Sequence, residues 1–411
     1  AVWRSMMPEG RGQSDNDKKK DVRPPVPSVV ADRYQIKQEI GSGSYSRVHA
    51  GVDKVTGEQI AAKFEWHFAE KGNKLLEEAG FCKAVAGGTG MPKVHWSGTQ
   101  DEYNIMIMDA LGPSLDDIFK KAGKHLDFVT VAGIGEQIVT RLKYVHSCGV
   151  LHRDIKPQNF LTGRGEEQRK VYVVDFGLAK AYIDRSTGKH ISSVKKRKGI
   201  TGTLRFTTRN LHRGLEPSRR DDLGSVGYMM MYLIKGRLPW QGVSAASKHT
   251  KQRRVGRRKE KVSHEELCMG YPVEFLKFLE HCESLQADAE PDYAYLCSLL
   301  NQVVTAYSKT ETSGPEPMLV RAAANGCKRK APSDDAAAGG KRPKQDLDLP
   351  VEEKKDDSYS YYYEDPEESE EEEKPKASRQ DEDEESSYEE SEEEEQESDD
   401  EDDEVEEPHS A

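Results

Sequence analysis

His152-Arg153-Asp154-Ile155-Lys156-Pro157-Gln158-Asn159 decides how the rest of this chain is read. A lone aspartate in a loop is ordinarily a turn former or a helix cap. Here a lysine follows Asp154 at the second position and an asparagine at the fifth. Asp154 is placed to accept and orient the proton of a hydroxyl, and Lys156 lays positive charge beside a transferring phosphoryl group. The Asn159 amide oxygen suits a divalent cation. Asp154, Lys156 and Asn159 are therefore the candidate catalytic residues.

Further signals flank this loop in a fixed order. Downstream, an apolar strand at 171–174 runs into Asp175-Phe176-Gly177. A carboxylate at that strand end can chelate Mg2+ bridging the β- and γ-phosphates of ATP, so Asn159 and Asp175 are the expected metal ligands. Upstream, Gly41-Ser42-Gly43-Ser44-Tyr45-Ser46 lies between strands expected at 34–40 and 48–52. Glycines there bring bare backbone N–H groups up to phosphates, and Ile40, Arg47 and Val48 flank the same nucleotide-facing loop. A glycine hairpin alone is usually only a turn, but Ala61-Ala62-Lys63 ends a strand fifteen residues after Val48. Lys63 is expected to reach the α- and β-phosphates, held by Glu78 on the next helix, with Glu77 the competing choice. This order and spacing are what a protein kinase requires, with ATP and Mg2+ as cofactors. Lys156 favours a serine/threonine over a tyrosine enzyme. Thr203, in Thr201-Gly202-Thr203, is placed to hydrogen-bond the catalytic loop, and Asp222 to anchor its backbone.

The chain has 411 residues and a net charge of −13, but that charge is an average of unlike parts. Residues 346–411 hold 34 acidic against 5 basic residues, a net of −29, while 1–345 hold 56 basic against 40 acidic, a net of +16. Residues 1–33, polar with Lys18-Lys19-Lys20 and several prolines, read as a flexible, disordered arm. Strands follow at 34–40, 48–52 and 59–64, with a helix at 73–85 between them and the later chain. Helices are expected at 115–121, 129–148, 221–235, 272–285 and 293–307. An α+β fold with two lobes and a cleft results: a small β-rich lobe at 34–108, a hinge at 109–112 and a larger helical lobe at 113–308. Segments 309–345 and 346–411 lack the apolar content to offset chain entropy and are expected to be disordered. The six cysteines form no metal-spaced pair and read as isolated thiols. Neither a secretory apolar region nor a run of about 18 apolar residues is seen, so no membrane partner is expected.

Several stretches are more particular. Leu111-Gly112-Pro113-Ser114-Leu115-Asp116-Asp117-Ile118-Phe119, Ser218-Arg219-Arg220-Asp221-Asp222-Leu223, Leu238-Pro239-Trp240-Gln241-Gly242 and Gly270-Tyr271-Pro272 resemble the casein kinase 1 family over residues 34–307. The resemblance implies a bilobal kinase fold, activity as a monomer, and an adenine pocket at the hinge with Met108 as gatekeeper and Asp109 and Leu111 lining it. It implies serine or threonine substrates preceded by acidic or phosphorylated residues. It also implies an anion site at Arg205, Gly242 and Lys251; one Arg, one Lys and a free backbone N–H suit a phosphate on their own chemistry. Two departures stand out: Ser46 replaces the third glycine of the loop, and Thr208-Arg209-Asn210 replaces the family's usual Ser-Ile-Asn. The basic block 253–259 is read as a solvated loop, or as an extra docking patch for acidic proteins or nucleic acid.

Lys328-Arg329-Lys330 and Lys341-Arg342-Pro343-Lys344 form a two-part basic cluster of the kind used for nuclear import, so a nuclear or cytoplasmic location is expected. Serines among the carboxylates of the tail, such as Ser369, Ser386 and Ser391, suggest an autoinhibitory pseudosubstrate. The competing classes are a catalytically dead kinase-fold scaffold and a chromatin protein binding histones or nucleic acid.

Overall fold

The computed structural model describes residues 24–43, 46–66, 74–183 and 199–308. The tail, the basic import-type cluster, Ser44 and Tyr45 lie outside the described residues, so the expectations placed on them have no structural counterpart.

Strands β1 (Val29–Val30), β2 (Tyr34–Ser42), β3 (Ser46–Asp53), β4 (Gln59–Trp66), β5 (Val94–Gln100) and β6 (Tyr103–Asp109) form one antiparallel sheet in the order β1-β2-β3-β4-β6-β5. Successive side chains of a strand point to opposite faces. On β4, Ile60, Ala62 and Phe64 therefore join Tyr34, Tyr103, Ile105 and Ile107 in one apolar cluster. The residue between, Lys63, turns to the other face, where helix α1 (Lys74–Ala84) packs through Leu75, Ala79 and Cys82. The two-residue period that builds the sheet thus aims the lysine at α1.

Beyond β6 the chain becomes helical: α2 (Leu115–Lys121), α3 (Phe128–Ser147), α4 (Arg209–His212), α5 (Arg219–Lys235), α6 (Lys248–Lys261), α7 (His264–Cys268), α8 (Val273–Ser284) and α9 (Tyr293–Tyr307). Short strands β7 (Val150–Leu151), β8 (Phe160–Thr162), β9 (Val171–Val173) and β10 (Lys180–Ala181) pair as β7 with β10 and β8 with β9. Helix α5 is buried almost throughout, which suits the central member of a helical layer. Its start is set by Ser218 and Asp221, which form a reciprocal capping box, and its end by Gly236 at φ 78°. Helix α3 begins at Asp127, whose carboxylate accepts from Thr130 N.

Two expectations fail. The end of the arm expected to be disordered is ordered: Val29–Val30 pairs antiparallel with β2, and the apolar Val30 side chain is buried in the sheet's core. The basic block 253–259 is not a loop; it lies within α6, capped by Ser247 accepting from Thr250 N. The helix buries only Val255, Gly256 and Lys259, so no apolar stripe marks it. Cys82, Cys268 and Cys282 are buried and Cys148 and Cys297 half-buried, all as free thiols. Among the described residues no helix is long and apolar enough to cross a membrane.

Candidate active site

The loop between β7 and β8 carries Asp154. Its neighbour Arg153 stands at φ 65°, a left-handed conformation that ordinary side chains avoid and that surrounding contacts must hold. Those contacts come from the start of α5. Asp222 accepts from His152 N at 2.8 Å and Arg153 N at 2.9 Å, and its Oδ2 lies 3.0 Å from His146 Nε2. Arg153 Nε also donates to Leu178 O at 2.7 Å. Burial would raise the Asp222 carboxyl, but the His146 hydrogen bond and charge outweigh it and hold it below the usual range. The backbone anchor expected of Asp222 is present; its support by His146 was invisible in the sequence.

Both oxygens of Asp154 are engaged. Oδ1 accepts from Thr203 N at 3.0 Å and Thr203 Oγ1 at 2.8 Å. Oδ2 accepts from Lys156 Nζ at 2.6 Å and from Asn159 Nδ2 at 3.2 Å. Gly202 makes the Thr203 contact possible: it stands at φ 95°, and a Cβ there would meet Arg153 O at 2.5 Å. Only glycine allows this approach.

A second polar centre lies where β4, α1 and the segment after β9 converge. Lys63 Nζ donates to Glu78 Oε2 at 2.7 Å, Glu78 Oε1 at 2.9 Å and Asp175 Oδ1 at 3.1 Å. Glu78 is therefore the partner, and Glu77 on the same helix is exposed. Burial pushes the Glu78 carboxyl up to about 7, with the Lys63 charge only partly offsetting it. Burial acts in the same sense on Asp175, but there Lys63 and Lys156 prevail and hold it at about 2. Asp175 itself is at φ 63°, which turns it out of the β9 line.

Divalent-cation chemistry fits this pair of centres. Asn159 Nδ2 is tied to Asp154 O at 2.9 Å, and no described residue donates to its Oδ1, a hard oxygen ligand. Asp175 is an ionised carboxylate at any ordinary pH. Two protein oxygens do not complete a six-ligand sphere, so phosphate oxygens and water must supply the rest, as Mg2+ prefers. Among the described residues no cluster of three His, Cys, Asp or Glu forms a closed metal cage.

The protein kinase domain family model matches residues 34–290. The chain belongs to the protein kinase family. Protein kinase domains generally use ATP with Mg2+.

At the glycine-rich loop of the kinase, Gly43 N donates to Ser46 O at 2.8 Å, and Ile40 is left 59% exposed. After β6, Leu111 is half-buried, and Met108 at the end of the strand, partly buried, packs against the main core. The Asp109 side chain is turned elsewhere: Oδ2 accepts from Lys93 N and Oδ1 meets His95 Nε2, both at 2.8 Å. Its carboxylate is committed to the β5 side, so only its backbone remains for a nucleobase.

Arg205, expected as part of an anion site, is buried with its guanidinium over the Tyr232 ring at 4.8 Å. Its carbonyl accepts from Trp240 Nε1 at 2.8 Å, which sets it beside the segment ending in Gly242. Gly242 stands at φ 72°, and a Cβ there would lie 2.8 Å from Arg237 Nη2. Arg237 is a cation at this place that sequence reading missed. Lys251 sits in the first turn of α6, half-buried.

Proposed function

We propose that this kinase transfers the γ-phosphoryl group of ATP to serine or threonine hydroxyls of protein substrates in the manner of casein kinase 1. The observation that carries this reading is the setting of Asp154, whose carboxylate is held between Thr203 on one side and Lys156 and Asn159 on the other. An incoming hydroxyl replaces one of these donors and gives its proton to Asp154 as it attacks. Lys156 stabilises charge on the moving phosphoryl group, and Lys63, kept in place by Glu78, neutralises the α- and β-phosphates. Asn159 and Asp175 would hold Mg2+, which when bound offsets phosphate charge. The backbone of 41–43 with Ser46, Arg47 and Val48 would cover the phosphates, with exposed Ile40 and half-buried Leu111 against the base.

Preference for acidic or phosphorylated substrates is proposed for Arg205, Gly242 and Lys251, with Arg237 as an added cation. Nuclear residence and restraint by the acidic tail are proposals resting on sequence alone. A scaffold without turnover is the other reading; the complete set Lys63, Asp154, Asn159 and Asp175 argues against it.

The test is phosphorylation of acidic and pre-phosphorylated peptide libraries by the parent chain and by Asp154→Asn. A loss of at least about a hundredfold in kcat, with ATP binding retained, supports the assignment. Equal activity in both would remove Asp154 from the chemistry, and ATP binding without any turnover in the parent would favour the scaffold. Deleting 346–411 tests the tail: unchanged activity on a free peptide at low salt ends that idea.

A further inference from the structure

The α4–α6 face holds a cavity of about 550 Å3 that the catalytic assignment does not use. One wall is α6, which contributes His249, Arg253, Arg257 and Lys261. These recur every fourth residue, so they form a shallow spiral along one side of the helix, spanning about 18 Å. The rest of the lining comes from Leu211 and His212 at the end of α4, Arg213 and Gly214 just beyond it, and Gly199 and Ile200.

The charge inside this groove is one-sided. Its only carboxylate among the lining residues, Glu260, is occupied by Arg213, which donates to both its oxygens at 2.8 Å. His212 forms part of the floor; burial and then the Lys259 charge push its pKa down to about 2, so it is neutral. The floor is tight because Gly256 has no side chain: a Cβ there would meet His212 Nδ1 at 2.9 Å. What remains is a cationic row. Arg257 and Lys261 are exposed, and neither has a hydrogen-bond or ion-pair partner among the described residues.

The groove's position gives it a purpose. Ile200 is three residues before Thr203, whose hydroxyl touches Asp154. A chain lying in the groove therefore leads toward the catalytic carboxylate. The geometry points to this groove as a docking site for an acidic segment of the protein substrate, outside the residues that receive phosphate. It rests on the proposed kinase reading and deepens it by naming a second recognition element. An extended peptide rises about 3.3 Å per residue, so the cations Arg253, Arg257 and Lys261, spread over about 12 Å of α6, match about four residues carrying aspartate, glutamate or phosphate. The walls of two helical elements suit a single extended strand, which favours a protein segment over duplex nucleic acid.

The experiment uses the full chain and the variants Arg257→Glu/Lys261→Glu and Arg257→Gln/Lys261→Gln. Two peptide substrates share one target serine; one adds a run of four Asp or Glu, the other a neutral run. Binding of the acidic peptide is read separately by fluorescence anisotropy. Expected for the charge reversal is a rise of about tenfold in both Kd and KM for the acidic peptide, shrinking with salt, with kcat and the neutral peptide unchanged. The glutamine pair should fall between. Equal changes for both peptides, or none for the acidic one, overturn the groove. So does a variant that keeps peptide affinity but loses binding to a duplex DNA. If the parent phosphorylates neither peptide, the kinase proposal fails while the anisotropy arm still judges the groove.

Discussion

Arg209 Nη1, on α4, donates to both carboxylate oxygens of Glu283 on α8, at 2.9 Å each. The same guanidinium gives Nε to Lys259 O at 2.9 Å and Nη2 to Val262 O at 2.6 Å. One side chain therefore ties the segment after Thr203 to the end of α6 and to α8. Arg209, in Thr208-Arg209-Asn210, thus acts as a structural anchor.

Replacing Arg209 by Met should lower unfolding free energy by about 2–4 kcal/mol, because two carbonyls lose their donor and Glu283 its partner. Glu283→Gln should lower it by about 1 kcal/mol. Urea titration measures both. The swap Arg209→Glu/Glu283→Arg should stay destabilised, since a glutamate at position 209 has nothing to donate to the carbonyls; full rescue would show that the ion pair alone matters.

Activity should fall on the acid side through Glu78. Its carboxyl titrates at about 7, so lowering the pH through that value adds a proton and removes the charge that fixes Lys63. Asp175, at about 2, stays ionised throughout. The kcat/KM profile of the parent should therefore drop below about pH 7, and Glu78→Gln should be lower and flat there. For stability the sign is opposite: a carboxyl raised by burial favours the fold when protonated, and this contribution is lost as pH rises from 4.5 toward 7. The pair is retained for position.

Thr203→Val removes the hydroxyl that holds Asp154 Oδ1 while keeping the backbone bond. A fall in kcat of about ten- to a hundredfold is expected, with KM for ATP little changed. Thr203→Ser should restore most of it. A valine variant with parental kcat would remove the hydroxyl from the mechanism.

Lys259 is fully buried, donating to Leu204 O at 2.7 Å and Thr207 O at 2.6 Å, beside the faces of Trp240 and Tyr228. Burial, with the Arg209 charge, puts its pKa well below the usual lysine value. The unfolded chain then binds a proton that the fold gives up more readily, so stability should rise with pH in the window below 10.5. Lys259→Met should abolish that slope and cost about 2 kcal/mol at neutral pH through the two carbonyls left unpaired. Unfolding measured at pH 7, 8 and 9 checks both.

Most elements were legible because their cores are periodic. The predicted helix at 293–307 matches α9, and the strands at 34–40, 48–52 and 59–64 lie within β2, β3 and β4. Helix α6 was not, since three buried positions in fourteen leave no stripe to read. Asp109 was expected at the nucleotide but faces Lys93 and His95, because a strand end presents its side chain to whichever neighbour the sheet supplies. Arg237, close enough to Gly242 that a Cβ there would lie 2.8 Å from its Nη2, carried no signal of its own in the sequence.

By itself the sequence determined the chemical kit and its order: a glycine-rich loop, Lys63, the Asp154 loop and Asp175, all set by short-range spacing that chemistry constrains. Tertiary structure alone decided that Glu78 rather than Glu77 meets Lys63, and that Asp175 shares the same ammonium from 112 residues away. It also decided that Arg209 pairs with Glu283 and that Lys259, one of a row of cations, goes inside. Spacing along the chain reports which residues share a face. Which charges end up within 3 Å of each other depends on how the faces pack, and no local pattern encodes that.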